Sequence, residues 1–148
     1  MRGKSMANSK GAELILWKLS LHFEAVTSAS DNGGWIEITV PGVDLSNDTP
    51  TVYVRHVGNR IWEVSDCGNA YSHLVIEGAG ATCDIETMLS SVARRLGLAY
   101  SNRCIHAFCG LDEVPYYVWR VKSAQLISSA AMASLKGATL AELLSRPF

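Results

Sequence analysis

Residues 51–66, TVYVRHVGNRIWEVSD, constrain the fold more tightly than any other stretch of the chain. Val52, Val54 and His56 alternate with Tyr53, Arg55 and Val57, and Ile61, Glu63 and Ser65 then alternate with Trp62 and Val64. Two runs of period two joined by a short polar turn predict a β-hairpin with one buried and one solvated face. Gly58-Asn59 tolerates positive φ and predicts the turn. WIEITVP (35–41) repeats the pattern, with Trp35, Glu37 and Thr39 opposite Ile36, Ile38 and Val40, and Pro41-Gly42 stops it. The chain therefore builds at least three antiparallel strands. Residues 27–34 (TSASDNGG) and 44–50 (DLSNDTP) are polar and predict loops.

Outside this region the period changes. Residues 1–8 are polar and predict a loose, flexible N-terminus, with Met6 a second candidate start. A helix is expected over about 9–23. Leu14, Trp17 and Leu21 share one face, Leu16, Leu19 and Phe23 lie beside them, and Glu13 and Lys18 stay outside. Ala70, Tyr71, Leu74, Val75 and Glu77 fit a short helix closed by GAGA (78–81). In 84–97, Ile85, Met88, Leu89, Val92 and Leu96 recur at helical spacing, with Asp84 as the expected N-cap and Gly97 just past the end. RCIHAFCG (103–110) predicts a strand. Pro115 opens a long C-terminal helix over 116–136, ended by Gly137, and Thr139 with Glu142 predicts a capping box for a last short helix. Strands in a run, then helices, predict an α+β fold: an antiparallel sheet of about four strands with helices on one face, in one domain over 9–148.

Composition removes several classes of function. The chain has 148 residues, 48% hydrophobic and 18% charged, which suits one folded core and excludes disorder. A formal net charge of −1 is unlike the strongly basic balance of a general nucleic-acid binder, so nucleic acid is a disfavoured partner. Low charge and slightly positive mean hydropathy leave apolar surface for a protein partner or a second copy to cover. No run reaches the length of a membrane span, and AELILWKLSLHF (12–23) is interrupted by Lys18 and His22, so the four cysteines are expected to be reduced thiols in a bacterial cytoplasm.

The hairpin exit brings in a resemblance. A strand ending WEVSD is followed by DCGNAYSHLVIEGAG, a helix ending RRLGL, another strand and a long helix. This order resembles the uncharacterised DUF-1828 domain family. Asp66 and Gly68 match its Asp-x-Gly turn, and Leu74 and Gly78 match the glycine-ended helix after it. The likeness spans roughly residues 10–135. It implies the setting of a phage or mobile-element accessory protein, and it implies no catalytic residue.

Candidate chemistry is sparse. Cys67, between Asp66 and Gly68 at a helix start, could be a thiolate favoured by the helix dipole with His56 or His73 as base. The simpler expectation is that Asp66 caps the helix, Gly68 supplies an unusual backbone angle and Cys67 fills a position. Cys104, His106 and Cys109 carry metal-ligand types, but on a strand Cys104, His106 and Phe108 point one way and Cys109 the other. Glu37 and Glu63 could face each other near Asp66, yet no lysine lies between Lys18 and Lys122 to complete a nuclease site. Arg94, Arg95 and Arg103 make at most a small basic patch. No phosphate-loop motif occurs, and no metal or cofactor is expected. Aromatic and charged side chains on the sheet and at the start of the last helix, Trp35, Glu37, Tyr53, Trp62, Tyr116 and Tyr117, form the expected partner-binding set. The expected function is that of a non-enzymatic binding protein encoded by a phage or mobile element. It would block a host defence system of anti-CRISPR or anti-restriction type by covering a host protein, such as a defence nuclease complex; the alternatives are a Cys/His-based metal-binding protein or enzyme and a nucleic-acid-binding accessory protein.

Overall fold

The computed structural model describes residues 6–41, 49–78 and 82–135, with the side chains of 6–9 and 132–135 left aside. Its elements are α1 (Met6–Val26), β1 (Ser28–Asn32), β2 (Trp35–Thr39), β3 (Thr51–Gly58), β4 (Ile61–Ser65), α2 (Asn69–Ile76), α3 (Thr82–Arg95), β5 (Ala99–Ser101), β6 (Cys104–Cys109), a 3₁₀ turn (Leu111–Glu113) and α4 (Val114–Leu135). The strands form one antiparallel sheet in the order β1-β2-β3-β4-β6-β5. The class is α+β, as the sequence pattern predicts, but the sheet has six strands instead of about four.

Both additional strands lack the signal that marks the others. β1 lies in the segment expected to be a loop, and all five of its residues are exposed. An edge strand wet on both faces has no hydrophobic alternation to show. It is held by pairing with β2 across the Gly33-Gly34 turn, where φ is +60° and +88°. β5 is only three residues long. The helix starts differ too. α1 takes in Met6–Asn8, which were expected to be loose, and α3 begins at Thr82, so Asp84 lies in its first turn and is not its N-cap. Gly137 and the Thr139–Glu142 capping box lie outside the described residues.

The β3–β4 hairpin turns one residue later than its sequence suggests. Asn59 and Arg60, at φ 50° and 63°, are the two central residues, and Gly58 takes φ 110° in a bulge beside His56. Only glycine adopts that angle readily, so the glycine serves the bulge and the asparagine opens the turn. The β5–β6 hairpin repeats the device with Asn102-Arg103, at φ 51° and 63°.

One face of the sheet carries the core. Val52, Val54, Val64, Ile105 and Ala107 point into it. Leu74 from α2, Ile85 and Leu89 from α3, and Val118, Val121 and Ala124 from α4 meet them. α3 ends as expected: Gly97 has φ 70°, and the Leu98 N–H reaches back to the Ala93 carbonyl at 2.8 Å. Within this apolar layer the Lys122 ammonium donates to the carbonyls of Val40 and Pro50 at 3.1 and 2.9 Å, tying α4 to both ends of the β2–β3 connection.

The corner after β4 joins the layers. Asp66 is fully buried. Its Oδ1 accepts from the Gly68 and Ile105 N–H groups, both at 2.9 Å, and its Oδ2 from the Ala70 N–H at 3.0 Å. Its own N–H donates to the Ile105 carbonyl at 3.0 Å. Burial raises the carboxyl's pKa, and the three donors offset only part of that rise. Asp66→Ala would orphan three N–H groups. It is expected to destabilise the fold by about 3–5 kcal/mol, read as a fall in thermal midpoint of about 10 °C.

Candidate functional site on the open sheet face

Helices α2, α3 and α4 cover one side of the sheet. Among the described residues the other side is built from side chains that alternate with the core: Trp35 and Glu37 on β2, Tyr53 and Arg55 on β3, Glu63 on β4, His106 and Phe108 on β6, and Ser101 on β5. All but Glu37 are joined into one chain of contacts crossing five strands.

Arg55 is its hub. The guanidinium bonds Glu63 Oε1 through Nε at 2.9 Å and Nη2 at 2.8 Å, and its centre lies 4.3 Å from the Trp35 ring centroid. Trp35 meets Tyr53 edge-on at 6.4 Å, and the Tyr53 hydroxyl accepts from Asn69 Nδ2 at 3.3 Å. The second Glu63 oxygen lies 3.3 Å from His106 Nδ1, with both side chains 12% exposed. His106 Nε2 is 2.8 Å from Ser101 Oγ, and the imidazole meets Phe108 edge-on at 5.4 Å. A shallow cleft of about 450 Å³ opens among Arg55, Glu63, Ser101, Cys104, His106 and Phe108. Stacking and ion pairing hold the ring and guanidinium planes in place before any partner arrives.

Ser101, His106 and Glu63 stand in the atom order of a nucleophile, a base and a carboxylate. The His106 Nδ1–Glu63 contact, although short, is off the line of a hydrogen bond, and Nδ1 has no other hydrogen-bond partner. The Glu63 charge is already shared with Arg55. This is a weak holder for a catalytic imidazole and a good one for a rigid surface.

The expected partner-binding residues divide. Trp35, Glu37 and Tyr53 share the open face. Trp62 is on the other face of β4, its ring 5.1 Å from that of His56. Tyr116 and Tyr117 are on α4, in the helical layer: Tyr117 packs on the core, and Tyr116 is exposed under the Arg120 guanidinium at 4.5 Å. Glu37 and Glu63 do not pair, because β3 lies between their strands; Glu37 faces Tyr53 and Glu63 faces Arg55. Arg103 joins no basic patch; it lies over the Tyr71 ring at 4.4 Å and 3.7 Å from Glu86.

Cys104 and His106 share the open face while Cys109 is buried on the opposite one, so the three do not converge. No group of three metal-ligating side chains forms among the described residues, and no helix among them is long and apolar enough to cross a membrane. A second cavity of about 310 Å³ lies where α2 and α4 meet the start of β3; two residues lining it, Gln125 and Ser128, keep buried side-chain oxygens without partners. Comparison with family models, curated proteins and solved structures finds no match to this chain.

Asp66 and Gly68 are the corner residues the sequence indicates. Cys67 sits between them at φ 51°, its N–H donating to Ser65 Oγ at 2.9 Å. The helix dipole does not activate it. Packing around the sulfur pushes the thiol up to about 11; Ser65 pulls it back, and Cys104, Asp66 and Glu63 push it further. His56 packs against the Trp62 ring, and His73 lies 3.7 Å from Glu77. At pH 7.5 iodoacetamide is expected to alkylate Cys67 about a hundredfold more slowly than an ordinary thiol. Peptide mapping should show the rate still climbing above pH 10.

Proposed function

We propose that this chain is a non-enzymatic binding protein that uses the open sheet face to cover a surface on another protein. The carrying observation is the pre-assembled run Trp35–Arg55–Glu63–His106–Phe108 across the strands. Aromatic rings and an arginine clamped by their neighbours are the groups that dominate protein interfaces, and clamping lowers the ordering cost of binding. The resemblance of its sequence to the DUF-1828 domain family supports a phage or mobile-element setting for this reading. In that setting the target is a component of host defence, such as a nuclease complex, blocked by occlusion in the anti-CRISPR or anti-restriction manner. Binding to nucleic acid is disfavoured by the near-neutral charge.

The test is affinity capture from a bacterial host that carries defence systems, followed by measured binding to the recovered component. Arg55→Ala combined with Phe108→Ala is expected to weaken that binding at least a hundredfold, about 2.7 kcal/mol, with circular dichroism checking that the variant still folds. Failure to recover any specific protein from such hosts, with the chain well expressed, would remove the proposal.

A second reading is favoured by one distance, the 2.8 Å between Ser101 Oγ and His106 Nε2. In it Ser101 is an acyl-accepting nucleophile with His106 as base and Glu63 as its carboxylate. A fluorophosphonate probe decides it: labelling at Ser101 that is lost in His106→Ala supports hydrolysis, and an unlabelled Ser101 eliminates it.

A further inference from the structure

The chain has four cysteines, and the fold brings two of them together. The β4–β6 ladder runs from Trp62 opposite Cys109 to Ser65 opposite His106. It continues one step through the Asp66 N–H, which donates to the Ile105 carbonyl at 3.0 Å. The next step in the same register sets Cys67 opposite Cys104. The two segments still touch beyond that step. A Cβ built on Gly68 would lie 3.4 Å from the Arg103 carbonyl oxygen and 3.9 Å from Cys104 Sγ. Asp66 and Ile105 form the hydrogen-bonded pair, so Cys67 and Cys104 fall at the non-hydrogen-bonded position, where antiparallel Cα atoms stand about 4.5 Å apart. That spacing is within the range a disulfide spans. The Cys67 backbone turns away at φ 51°, but its N–H is tied to Ser65 Oγ at 2.9 Å. The same Ser65 hydroxyl lowers the pKa of both thiols, and charge on Cys104 raises that of Cys67, so the hydroxyl and the two sulfurs form one cluster. Cys67 is exposed and Cys104 half-buried, so a small molecule can reach them. Cys83 lies on α3, and Cys109 is buried at the other end of the ladder. Among the described residues no third metal-ligating group joins the pair.

We propose that Cys67 and Cys104 are a reversible modification site, closing to a cross-strand disulfide by exchange with a small disulfide of the glutathione type. The Cys67 thiolate attacks one sulfur of the oxidant, forming a mixed disulfide and expelling one glutathione thiolate. The Cys104 thiolate then attacks the Cys67 sulfur and expels the second. The protein thiols lose two protons and two electrons, and the oxidant leaves as two glutathione thiols. Burial and the nearby carboxylates raise both protein thiols, so closure is slow at neutral pH. The bond staples the entry of α2 to the start of β6, the junction that Asp66 holds with its carboxylate. It closes a loop that contains α2, α3 and β5. It does not depend on what the open face binds.

The experiment treats the reduced full chain, without denaturant, with about 5 mM glutathione disulfide at about pH 8.5. Free thiols are then blocked with N-ethylmaleimide and the chain is mapped with chymotrypsin. Cuts after Tyr71 and Phe108 part Cys67 from Cys83 and Cys104 from Cys109. A Cys67–Cys104 cross-linked peptide is expected, with Cys83 outside the bond. The oxidised chain is expected to melt about 10 °C higher, and dithiothreitol should reverse the rise. Cys67→Ser should abolish both the cross-link and the rise. A wild-type Cys67 that stays free, or that keeps glutathione while Cys104 stays free, overturns the proposal. So does a cross-linked chain that melts no higher than the reduced one.

Discussion

A single buried carboxylate sets the geometry on which the rest depends. Asp66 ends β4, starts α2 and holds Ile105 of β6, and it does all three with two oxygen atoms. Its reciprocal bond with Ile105 fixes the β4–β6 register. That register places Ser65 opposite His106 and Glu63 opposite Phe108, which brings the Glu63 carboxylate diagonally to the His106 ring. The open-face network therefore inherits its alignment from a residue that is itself inaccessible.

The same corner explains why the two faces have different chemistry. The chain leaves β4 toward one side of the sheet, and α2, α3 and α4 all pack there. Side chains on that side are mainly Val, Ile, Leu and Ala. The opposite side retains charge, because a glutamate and an arginine on neighbouring strands satisfy each other. An aromatic ring then lies over the arginine, and the surface becomes stiff without becoming greasy.

Local pattern made much of this legible and non-local pairing made the rest illegible. The hairpin, the Asp66–Gly68 corner, α3 and α4 all carry a period or a cap readable within a dozen residues. The placement of Trp35, Glu37 and Tyr53 on one face also follows from alternation alone. The link between Glu63 and His106 does not, because it depends on β6 pairing with β4 across two intervening helices and β5. β1 was hidden for the opposite reason: its residues bury nothing, so no hydrophobic signal exists. The expected binding aromatics fall on different faces because aromaticity does not report direction. Trp62 is one residue from Glu63 and faces the other way.

The twin Asn-Arg turns have a consequence that lies in the unfolded chain. Both hairpins reverse direction through left-handed backbone at two non-glycine residues. Asparagine tolerates that conformation, while arginine there stores strain on the order of 1 kcal/mol. A glycine would relieve the strain but would also widen the ensemble that folding must collapse. The chain accepts a little tension in the native turn in exchange for a less disordered starting point. Its hairpins can therefore be close to balance between the two states, and the sheet gains its firmness from the strands' packing more than from the loops that join them.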